Sequence, residues 1–448
     1  MEKPTTEDTI AAIITGTAPN GAVAGIRISG KDAFSIAEKV FSKPLQSLPT
    51  HTAHYGTIRS SKNESIDHVL LLIMKGPKSY TGEDTVEIFS HGGSVLPKKI
   101  LQIILEKGAR AAKPGEFTLR AYLNQKIDLA QAEAVQKLIA AKNDFAVKAA
   151  KEQLEGKLSK KIQAYQKRLT HFCAILEAWV DFPEEDLGFI PTEEFLAGLS
   201  EISHDLSQLI TSYENGAKLQ EGISLCIAGA PNAGKSSLLN LLLKKEKAIV
   251  TDIEGTTRDL IEEDLLLEGL SFRIKDTAGI RPTCCVIEQK GIEKSKEAMQ
   301  ESDLVLYMVD SSNPQIHLNS LDPEKTLIVW NKIDQKKPET LFPNFSNIAI
   351  SVKEEKGITE LLQKVTKLAQ KKDYGKEEIF LTSQRHKEAL EEASLYLEKV
   401  LASFQEKVSA EFIASDVKEA LNALAKITGE NVTERILDAI FSEFCLGK

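Results

Sequence analysis

The stretch Ile223–Lys245, ISLCIAGAPNAGKSSLLNLLLKK, decides the fold of the central part of the chain. Its apolar beginning predicts a buried strand, and its leucine-rich end predicts a helix. Between them GAPNAGKS matches G-x-x-x-x-G-K-[ST] with Gly229, Gly234, Lys235 and Ser236. Such a loop lets backbone N–H groups approach phosphates, while the lysine neutralises the β- and γ-phosphates and the serine reaches Mg²⁺. The stretch therefore predicts a phosphate-binding loop in an α/β module.

Three further motifs follow in the order that a guanine nucleotide-binding module requires. EGTTRD supplies Thr257 as a second Mg²⁺ ligand, and DTAG begins with Asp276 after the strand-like LSFRI. The buried-type strand LIVWNKID leads to Asp334, and SVK at 351–353 has the position of a loop that supports the base. A carboxylate at Asp334 can accept protons from both N1 and N2 of guanine, which adenine does not offer. The combination predicts a Mg²⁺-dependent GTP-binding module.

The residue that orients the hydrolytic water is less obvious. Ile280 follows DTAG, where Ras-type proteins have a glutamine. The acidic Glu288 is the candidate for this role, and the alternative is that Glu288 is a solvated loop carboxylate. Asn232 in the phosphate loop offers a neutral oxygen for a monovalent cation near the phosphates.

Composition limits the class of protein. The 448 residues predict roughly three domains. The net charge of -9 argues against a protein that coats nucleic acid non-specifically, although a local basic patch would still permit RNA binding. The five cysteines include no C-x-x-C pair, so neither a disulfide framework nor a zinc site is predicted. No apolar run is long enough to cross a bilayer and no signal-peptide pattern is present, so we expect a cytoplasmic protein without a membrane partner.

Changes in pattern along the chain predict a multidomain α/β architecture. Residues 1–120 predict an N-terminal α+β domain, and residues 222–372 predict a parallel sheet with crossover helices. Helical segments at 121–221 and 373–448 flank this sheet, which predicts one helical domain with the sheet module inserted into it. Asn431 followed by Glu434 predicts a helix N-cap. Apolar stripes predict two long helices: Leu154, Leu158, Ile162, Tyr165, Leu169, Phe172, Leu176 and Val180 in the first, and Leu390, Ala393, Leu397, Val400 and Phe404 in the second.

Over essentially its full length the chain resembles the MnmE or TrmE family of tRNA uridine-modification GTPases. Outside the nucleotide motifs, the resemblance rests on SYTGEDTVEIFSHGG, PGEFTLRAYLNQKIDLAQAEA, VDFPEED and the final FCLGK. It implies a folate-binding and dimerising N-terminal domain, and a helical domain that carries the inserted GTPase. It also implies a heterotetramer in which a homodimer works with MnmG, an FAD-dependent partner. Together they would place a carboxymethylaminomethyl-type group on C5 of the wobble uridine of certain tRNAs.

The resemblance also implies roles for individual residues. Arg27, Glu87, Lys126 and Lys448 would bind a tetrahydrofolate derivative in its 5-formyl or methylene form. Glu288 would be the catalytic acid beside Lys235, although the preceding TCCVIE loop lacks the family's usual acidic residues. Asn232, Thr251, Ile253 and Thr256 would hold K⁺, and Ser236 and Thr257 would hold Mg²⁺. The predicted nucleotide contacts are Asn232, Ala233, Gly234, Lys235, Ser236, Ser237, Thr251, Asp252, Ile253, Glu254, Gly255, Thr256, Thr257, Asp276, Thr277, Ala278, Gly279, Asn331, Lys332, Ile333, Asp334, Ser351, Val352 and Lys353.

Several alternatives stay open at this point. A ribosome-assembly GTPase that binds RNA without modification chemistry would share the nucleotide motifs, although no GXXG-type RNA-binding module is evident. Arg27 could merely solvate an edge strand. Cys445, near the end of the chain, could be a catalytic thiol or a buried structural sulfur. A lipid attachment signal is not matched, because Gly447 is not aliphatic and Lys448 is not a usual final residue of such a signal.

Overall fold

The computed structural model describes residues 8–16, 21–181, 193–245, 263–267, 270–275, 297–316, 321–370, 380–406, 408–442, 444–445 and 447–448. The chain forms two compact units: Met1–Ile139, Gln153–Ile190 and Lys399–Lys448 make up the first, and Ala140–Glu152 and Pro191–Glu398 make up the second. Each unit contains one six-stranded sheet together with helices. The predicted multidomain α/β fold is confirmed.

The first sheet forms from the N-terminal residues and has the strand order β3-β4-β5-β2-β1-β6. Its neighbours are antiparallel except for β1 and β6. Alternation along β4 buries Val69, Leu71 and Ile73 in one core, while Leu70 is exposed. The elements are β1 (Ile10–Ile13), β2 (Val23–Ser29), α1 (Ala33–Glu38), β3 (Thr52–Arg59), β4 (Ser65–Met74), β5 (Thr85–His91), α2 (Leu96–Glu106) and β6 (Arg110–Ala111).

The helices described after the first sheet are α3 (Glu116–Leu123), α4 (Leu129–Ala140), α5 (Asp144–Leu154), α6 (Lys157–Asp181) and α7 (Glu193–Glu221). The first predicted apolar stripe begins in α5 and not in α6, because Gly156 has φ +78° and separates the two helices. From Leu158 to Leu176 the stripe is largely buried, whereas Val180 is exposed. The prediction of one continuous helix was therefore wrong at its start and correct for α6.

The second sheet belongs to residues 222–372, which we call the phosphate-loop module. Its strand order is β12-β11-β10-β7-β9-β8. The predicted parallel arrangement is confirmed for β7, β9, β10, β11 and β12, whereas the edge strand β8 pairs antiparallel with β9. The elements are β7 (Ile223–Gly229), α8 (Lys235–Lys245), β8 (Glu263–Leu267), β9 (Leu270–Lys275), β10 (Leu304–Asp310), β11 (Thr326–Asn331), β12 (Ser346–Ala349) and α9 (Ile358–Gln370).

Among the described residues after 380, the helices are α10 (Gln384–Gln405), α11 (Ala410–Thr428) and α12 (Glu434–Ser442). The second predicted stripe is confirmed in α10, where Leu390, Ala393, Leu397 and Val400 are buried. The predicted N-cap at Asn431 was wrong, because the Leu437 N–H donates to the carbonyl oxygen of Thr433. Helix α11 packs along α6. None of the described helices combines the length and apolar character that a membrane span requires.

Candidate nucleotide and cofactor sites

The phosphate loop between β7 and α8 depends on two glycines with positive φ. Gly229 has φ +134° and Gly234 has φ +100°. A Cβ atom on Gly229 would collide with the carbonyl oxygen of Met308, and one on Gly234 would collide with the side-chain amide of Asn331. Both positions therefore require glycine for conformational and steric reasons. Asn232 in the same loop has φ +63°, in the left-handed region that asparagine tolerates better than most residues.

Lys235 places its charge over this loop. Its Nζ atom donates hydrogen bonds of 2.9 Å to the carbonyl oxygens of Gly229 and Ala230. Burial lowers the pKa of Lys235 because the charged form is poorly solvated there. The lysine is also the first residue of α8, followed by Ser236 and Ser237. The helix N-terminus and the ammonium together form an environment suited to an anion.

Asn331 connects the phosphate loop to the loop after β12. Its side-chain amide donates to the carbonyl oxygen of Ala233 at 2.8 Å, and its Oδ1 accepts from the Val352 N–H at 3.1 Å. The side chain is buried, so losing either bond would leave a backbone group unsatisfied. Sequence reasoning identified Asn331 by its motif. It did not predict this bridging role, which requires the carboxyl ends of two parallel strands to meet.

Asp334 and Ser351 lie together at the predicted guanine position. The Ser351 hydroxyl donates to Asp334 Oδ1 at 2.6 Å. This hydrogen bond holds the pKa of Asp334 below its ordinary value, so the carboxylate stays ionised. The Ile333 N–H donates to the carbonyl oxygen of Ile350, which keeps the two loops adjacent. An ionised, exposed carboxylate in this position can accept two parallel N–H bonds from a base.

Lys332 is paired with an acid that the motif search missed. Its Nζ atom lies 2.5 Å from Oδ2 of Asp310 at the end of β10. Burial of Asp310 opposes ionisation, but hydrogen bonds from Lys332 and Ser312 hold the pKa of Asp310 below its ordinary value. The sequence signal that could have identified Asp310 is its position at the carboxyl end of a predicted buried strand in a parallel sheet, where ligand sites form.

Several predicted residues lie outside the described part of the chain: Thr251, Asp252, Ile253, Glu254, Gly255, Thr256, Thr257, Asp276, Thr277, Ala278, Gly279 and Glu288. The described members of the predicted metal sets are Asn232 and Ser236. Both belong to the phosphate loop and the start of α8. Their metal roles stay predictions.

Arg27 and Glu87 face each other across two strands of the N-terminal sheet. The register pairs them directly on β2 and β5, and Nε and Nη2 of Arg27 both lie 2.8 Å from Oε1 of Glu87. Because β2 lies between β5 and β1, the edge-strand alternative for Arg27 was wrong. Two rings that sequence reasoning missed contact this arginine. The Arg27 Cζ atom lies 5.1 Å from the ring centre of Tyr80 and 5.3 Å from that of Phe117.

Lys126 and Lys448 lie on elements next to these two rings. Lys126 Nζ donates to the carbonyl oxygen of Pro77 at 2.9 Å, in the loop that carries Tyr80. The Phe117 N–H donates to the carbonyl oxygen of Lys448 at 3.2 Å. The structure therefore brings the loop, α3 and the chain end together around the Arg27–Glu87 pair.

Cys445 is exposed beside this docked chain end. Its carbonyl oxygen accepts a hydrogen bond from the Lys448 N–H at 3.3 Å. The buried-sulfur alternative for Cys445 was therefore wrong. By contrast, Cys173 and Cys226 are buried.

A buried arginine explains much of the remaining motif sequence. Arg120 is 3% exposed and pairs with Asp8, Glu83 and Glu116 at 2.6, 3.1 and 3.2 Å. A buried guanidinium requires such partners, because an unpaired charge would be strongly destabilising. Next to it, the hydroxyls of Tyr80 and Thr118 lie 2.9 Å apart. The segments SYTGEDTVEIF and PGEFTLR thus supply the ion pairs and hydrogen bonds next to Arg27 and Glu87.

Known proteins resemble the chain both by domain and over nearly its full length. The family model for the MnmE helical domain matches residues 129–445, and the model for the GTP-binding protein TrmE N-terminus matches residues 9–126. A protein of Protochlamydia amoebophila named tRNA modification GTPase MnmE is 49% identical over 450 residues, covering 98% of each chain. Proteins of the same name from Acetivibrio thermocellus and Chlamydia trachomatis serovar L2 are 44% and 42% identical. They cover 99% and 98% of this chain and 99% of their own lengths.

Solved structures cover a smaller share of the chain. The G domain of the Thermotoga maritima FeoB iron transporter is 23% identical, covers 33% of this chain and 99% of its own, and has a TM-score of 0.25. Aquifex aeolicus Era bound to GDP and aluminium fluoride is 25% identical, covers 39% of this chain and 66% of its own, and has the same TM-score of 0.25. These scores are too low to support an argument. The full-length relatives and the two family models are sufficient, and they show that this chain belongs to the MnmE family of tRNA modification GTPases.

Proposed function

We propose that this protein hydrolyses GTP and, with a flavin-dependent partner, takes part in adding a carboxymethylaminomethyl-type group to C5 of the wobble uridine of certain tRNAs. The observation that carries the proposal is the full-length similarity to proteins named tRNA modification GTPases. The tightly packed glycines of the phosphate loop and the ionised Asp334 support the nucleotide part. The ribosome-assembly alternative has no comparable support, because the matched full-length relatives carry the tRNA modification name.

The phosphate-loop module is proposed to bind GTP through its described residues. Lys235 would neutralise the β- and γ-phosphates, and Asp334, held by Ser351, would accept the guanine N–H groups. A bound Mg²⁺ would supply positive charge to the phosphates, with Ser236 and Thr257 as its proposed oxygen ligands. Asn232, Thr251, Ile253 and Thr256 are proposed to hold K⁺. The oxygen of the Asn232 side chain suits such a hard cation.

The Arg27–Glu87 pair is proposed to bind the tetrahydrofolate derivative, with Lys126 and Lys448. Both contacts from Arg27 go to Oε1 of Glu87. Within the described residues, the other carboxylate oxygen accepts no hydrogen bond. That oxygen is an acceptor suited to the N–H donors of a pteridine ring. The folate would supply the one-carbon unit and the partner would supply FAD, while Cys445 is proposed to act from the docked chain end.

The proposed assembly is a homodimer that forms a heterotetramer with the flavin-dependent MnmG protein in the cytoplasm. The outer face of the N-terminal sheet supports a self-association surface. Val23, Tyr55 and Leu70 are 59%, 64% and 46% exposed there, although all three are large apolar residues. The domain boundaries 1–120, 121–221, 222–372 and 373–448 are part of the same proposal.

Mass spectrometry of the wobble uridine in tRNA from cells lacking the protein tests the proposed function. We expect the carboxymethylaminomethyl-type group to disappear and to return when the gene is restored. Unchanged modification in the deletion strain would refute the proposal. Complementation with an Asp334→Asn variant tests the nucleotide step in the same strain, because the variant replaces the guanine acceptor with an amide of the same size.

Glu288 is proposed to orient the water that attacks the γ-phosphate. Glu288→Ala should leave GTP affinity nearly unchanged and reduce turnover by about 10²-fold or more, as loss of a positioned acid or base does. Measured turnover with GTP in excess checks this expectation. Gln289→Ala is the control for general disturbance of the segment, and equal turnover in both variants would remove Glu288 from the role.

A further inference from the structure

Helix α6 carries a band of basic residues on one side. At about 100° per residue, the positions of its basic residues between 157 and 171 fall within an arc of about 120° around the helix axis. Ala164 is the one other residue on that arc over this length. We call this surface the basic face of α6, and it consists of Lys157, Lys160, Lys161, Lys167, Arg168 and His171.

The packing of α6 determines where the basic face points. The opposite side of the helix is buried through Leu158, Ile162, Tyr165 and Leu169. Helix α11 packs along α6. Lys157, Lys160, Lys167 and His171 are exposed, and Lys161 and Arg168 are half-buried. The buried stripe therefore anchors the helix while its cations face solvent over roughly 16 to 21 Å of helix length.

Three lysines of this face have no described partner for their charge. No Asp or Glu occurs from residue 156 to residue 176, in a chain whose net charge is -9. Lys160, Lys161 and Lys167 make no ion pair or side-chain hydrogen bond with any residue that the structure describes. A band of one sign on an otherwise acidic protein creates a local positive potential that attracts a polyanion.

The residues of the face favour nucleic acid over a protein or a membrane. The cores of protein interfaces are depleted in lysine and enriched in aromatic residues, and this arc has no aromatic residue other than His171 between 157 and 171. Binding to a membrane surface would require apolar side chains that insert beside the cations, and Ala164 is too small for this role. Over residues 157–171 the basic residues share their arc with no apolar anchor, and this arrangement suits a phosphate backbone.

We propose that the basic face of α6 binds the phosphate backbone of the tRNA substrate. The inference rests on the proposed action on tRNA and adds the surface that holds it. Contacts of this kind position an RNA without reading its bases. The face would thus bind different tRNAs similarly, and the choice of the modified uridine would be made elsewhere.

The test uses full-length protein and measures its binding to a purified tRNA transcript by fluorescence anisotropy across a series of salt concentrations. The variant is the double charge reversal Lys160→Glu and Lys167→Glu, since both residues are exposed and unpaired within the described chain. Each lost phosphate contact should reduce the slope of log K against log salt by about 0.7 to 0.9. We expect the slope to fall by about 1.4 to 1.8 in all and the dissociation constant to rise roughly tenfold or more at low salt.

The matched control reverses Lys62 and Lys98 to Glu. These exposed lysines lie in the turn after β3 and in α2, so the control changes net charge equally. It should bind tRNA nearly as the wild type does. GTP hydrolysis should be unchanged in both variants, and if the Glu variant is poorly folded, Lys160→Gln with Lys167→Gln replaces it.

Three outcomes would overturn the inference: wild-type protein that does not bind the transcript, equal loss in both variants, or tRNA binding retained by the Lys160→Glu, Lys167→Glu variant. Retained tRNA binding with lost binding of the flavin-dependent partner would make the face a protein interface. Failure of the proposed function is separate, because it would appear as unchanged wobble uridine in the deletion strain.

Discussion

At the scale of single residues, one side chain can satisfy both a motif and the packing around it. Asn331 belongs to the motif that predicts guanine binding, yet its hydrogen bonds join Ala233 to Val352. Arg27 is similarly a predicted ligand residue whose orientation depends on Glu87, Tyr80 and Phe117. A substitution at such a position removes structural contacts as well as a predicted ligand contact, so the stability of the loops must be measured together with ligand binding.

Asn331→Ala should destabilise the phosphate-loop module by about 2 kcal/mol, because two buried backbone groups lose their partners. Urea unfolding followed by tryptophan fluorescence can measure this. Trp330 is 3% exposed in β11, next to Asn331. The chain has two tryptophans, so a Trp179→Phe background isolates the signal of Trp330.

The control for that experiment is Asn313→Ala, since Asn313 is exposed in the loop after β10. It should change stability by less than about 0.5 kcal/mol. Equal midpoints for the two variants would show that the bridge between the loops contributes nothing measurable.

Tyr80 offers a test in which ring and hydroxyl are separated. Tyr80→Leu removes the cation–π contact with Arg27 and should weaken binding of 5-formyltetrahydrofolate by roughly 3- to 30-fold. Tyr80→Phe keeps the ring and loses the contact with Thr118, so its affinity should stay close to that of the wild type. Calorimetric titration checks both. Equal affinity in both variants would contradict the role of the ring, whereas no binding by the wild type would reject the folate site itself.

At the scale of elements, the chain end is held by backbone contacts that only glycine permits. Gly447 has φ +93°, and a Cβ atom there would collide with the carbonyl oxygen of Ile13 in β1. Phe441 and Phe444 pack in the cluster that contains Leu129. The position of Cys445 and Lys448 therefore depends on how α12 and the last residues dock against α3, α4 and β1.

Gly447→Ala should release the chain end while leaving the rest of the fold intact. We expect amide hydrogen exchange to increase in residues 434–448 and folate binding to weaken, with GTP hydrolysis unchanged. Gly108→Ala is the matched control, because Gly108 has φ +119° but its Cβ would meet nothing within 4 Å. Both variants share about 1 to 2 kcal/mol of backbone strain. Protection of residues 434–448 that stays at the wild-type level in Gly447→Ala would contradict the docking role.

At the scale of the whole molecule, the two compact units differ in how their sequence is arranged. The first unit combines three separate segments, and α6 is completed by α11 some 230 residues later in the chain. The second unit combines two segments, but the buried members of the large core cluster in its phosphate-loop module all lie between Ile223 and Ala369, with the partly buried Phe145 packed against them. Contiguous cores can fold alone, whereas discontinuous ones need all of their segments.

A fragment of residues 222–372 should therefore fold and bind GTP, whereas a chain ending at residue 398 should lose the structure of α6. Without α11, the buried residues Leu158, Ile162, Tyr165 and Leu169 lose a major packing partner. Burying a large apolar side chain contributes about 1.5 to 3 kcal/mol, so the loss approaches a domain's whole stability. Circular dichroism and limited proteolysis check this, and a protease-resistant α6 in the shortened chain would contradict it.

Local patterns predicted much of the fold and the chemistry. The strand, loop and helix around GAPNAGKS, the parallel sheet and the apolar stripe of α10 follow from periodicity and turn chemistry, which neighbouring residues carry by themselves. Periodicity and turn chemistry did not predict the hairpin formed by β8 and β9, the break between α5 and α6 at Gly156 or the helix start at Thr433. These features depend on pairing and backbone geometry that composition does not specify.

Only the tertiary structure decided the contacts between residues that lie far apart in sequence. The residues that surround Arg27 come from positions 80, 87 and 117, and the chain end reaches Phe117 from position 448. The residues that hold the nucleotide loops together come from positions 233, 331 and 352. The sequence by itself determined which chemical groups are present and the local shape of each segment. Their juxtaposition required the sheets, because strand pairing and helix packing bring separate segments to one place.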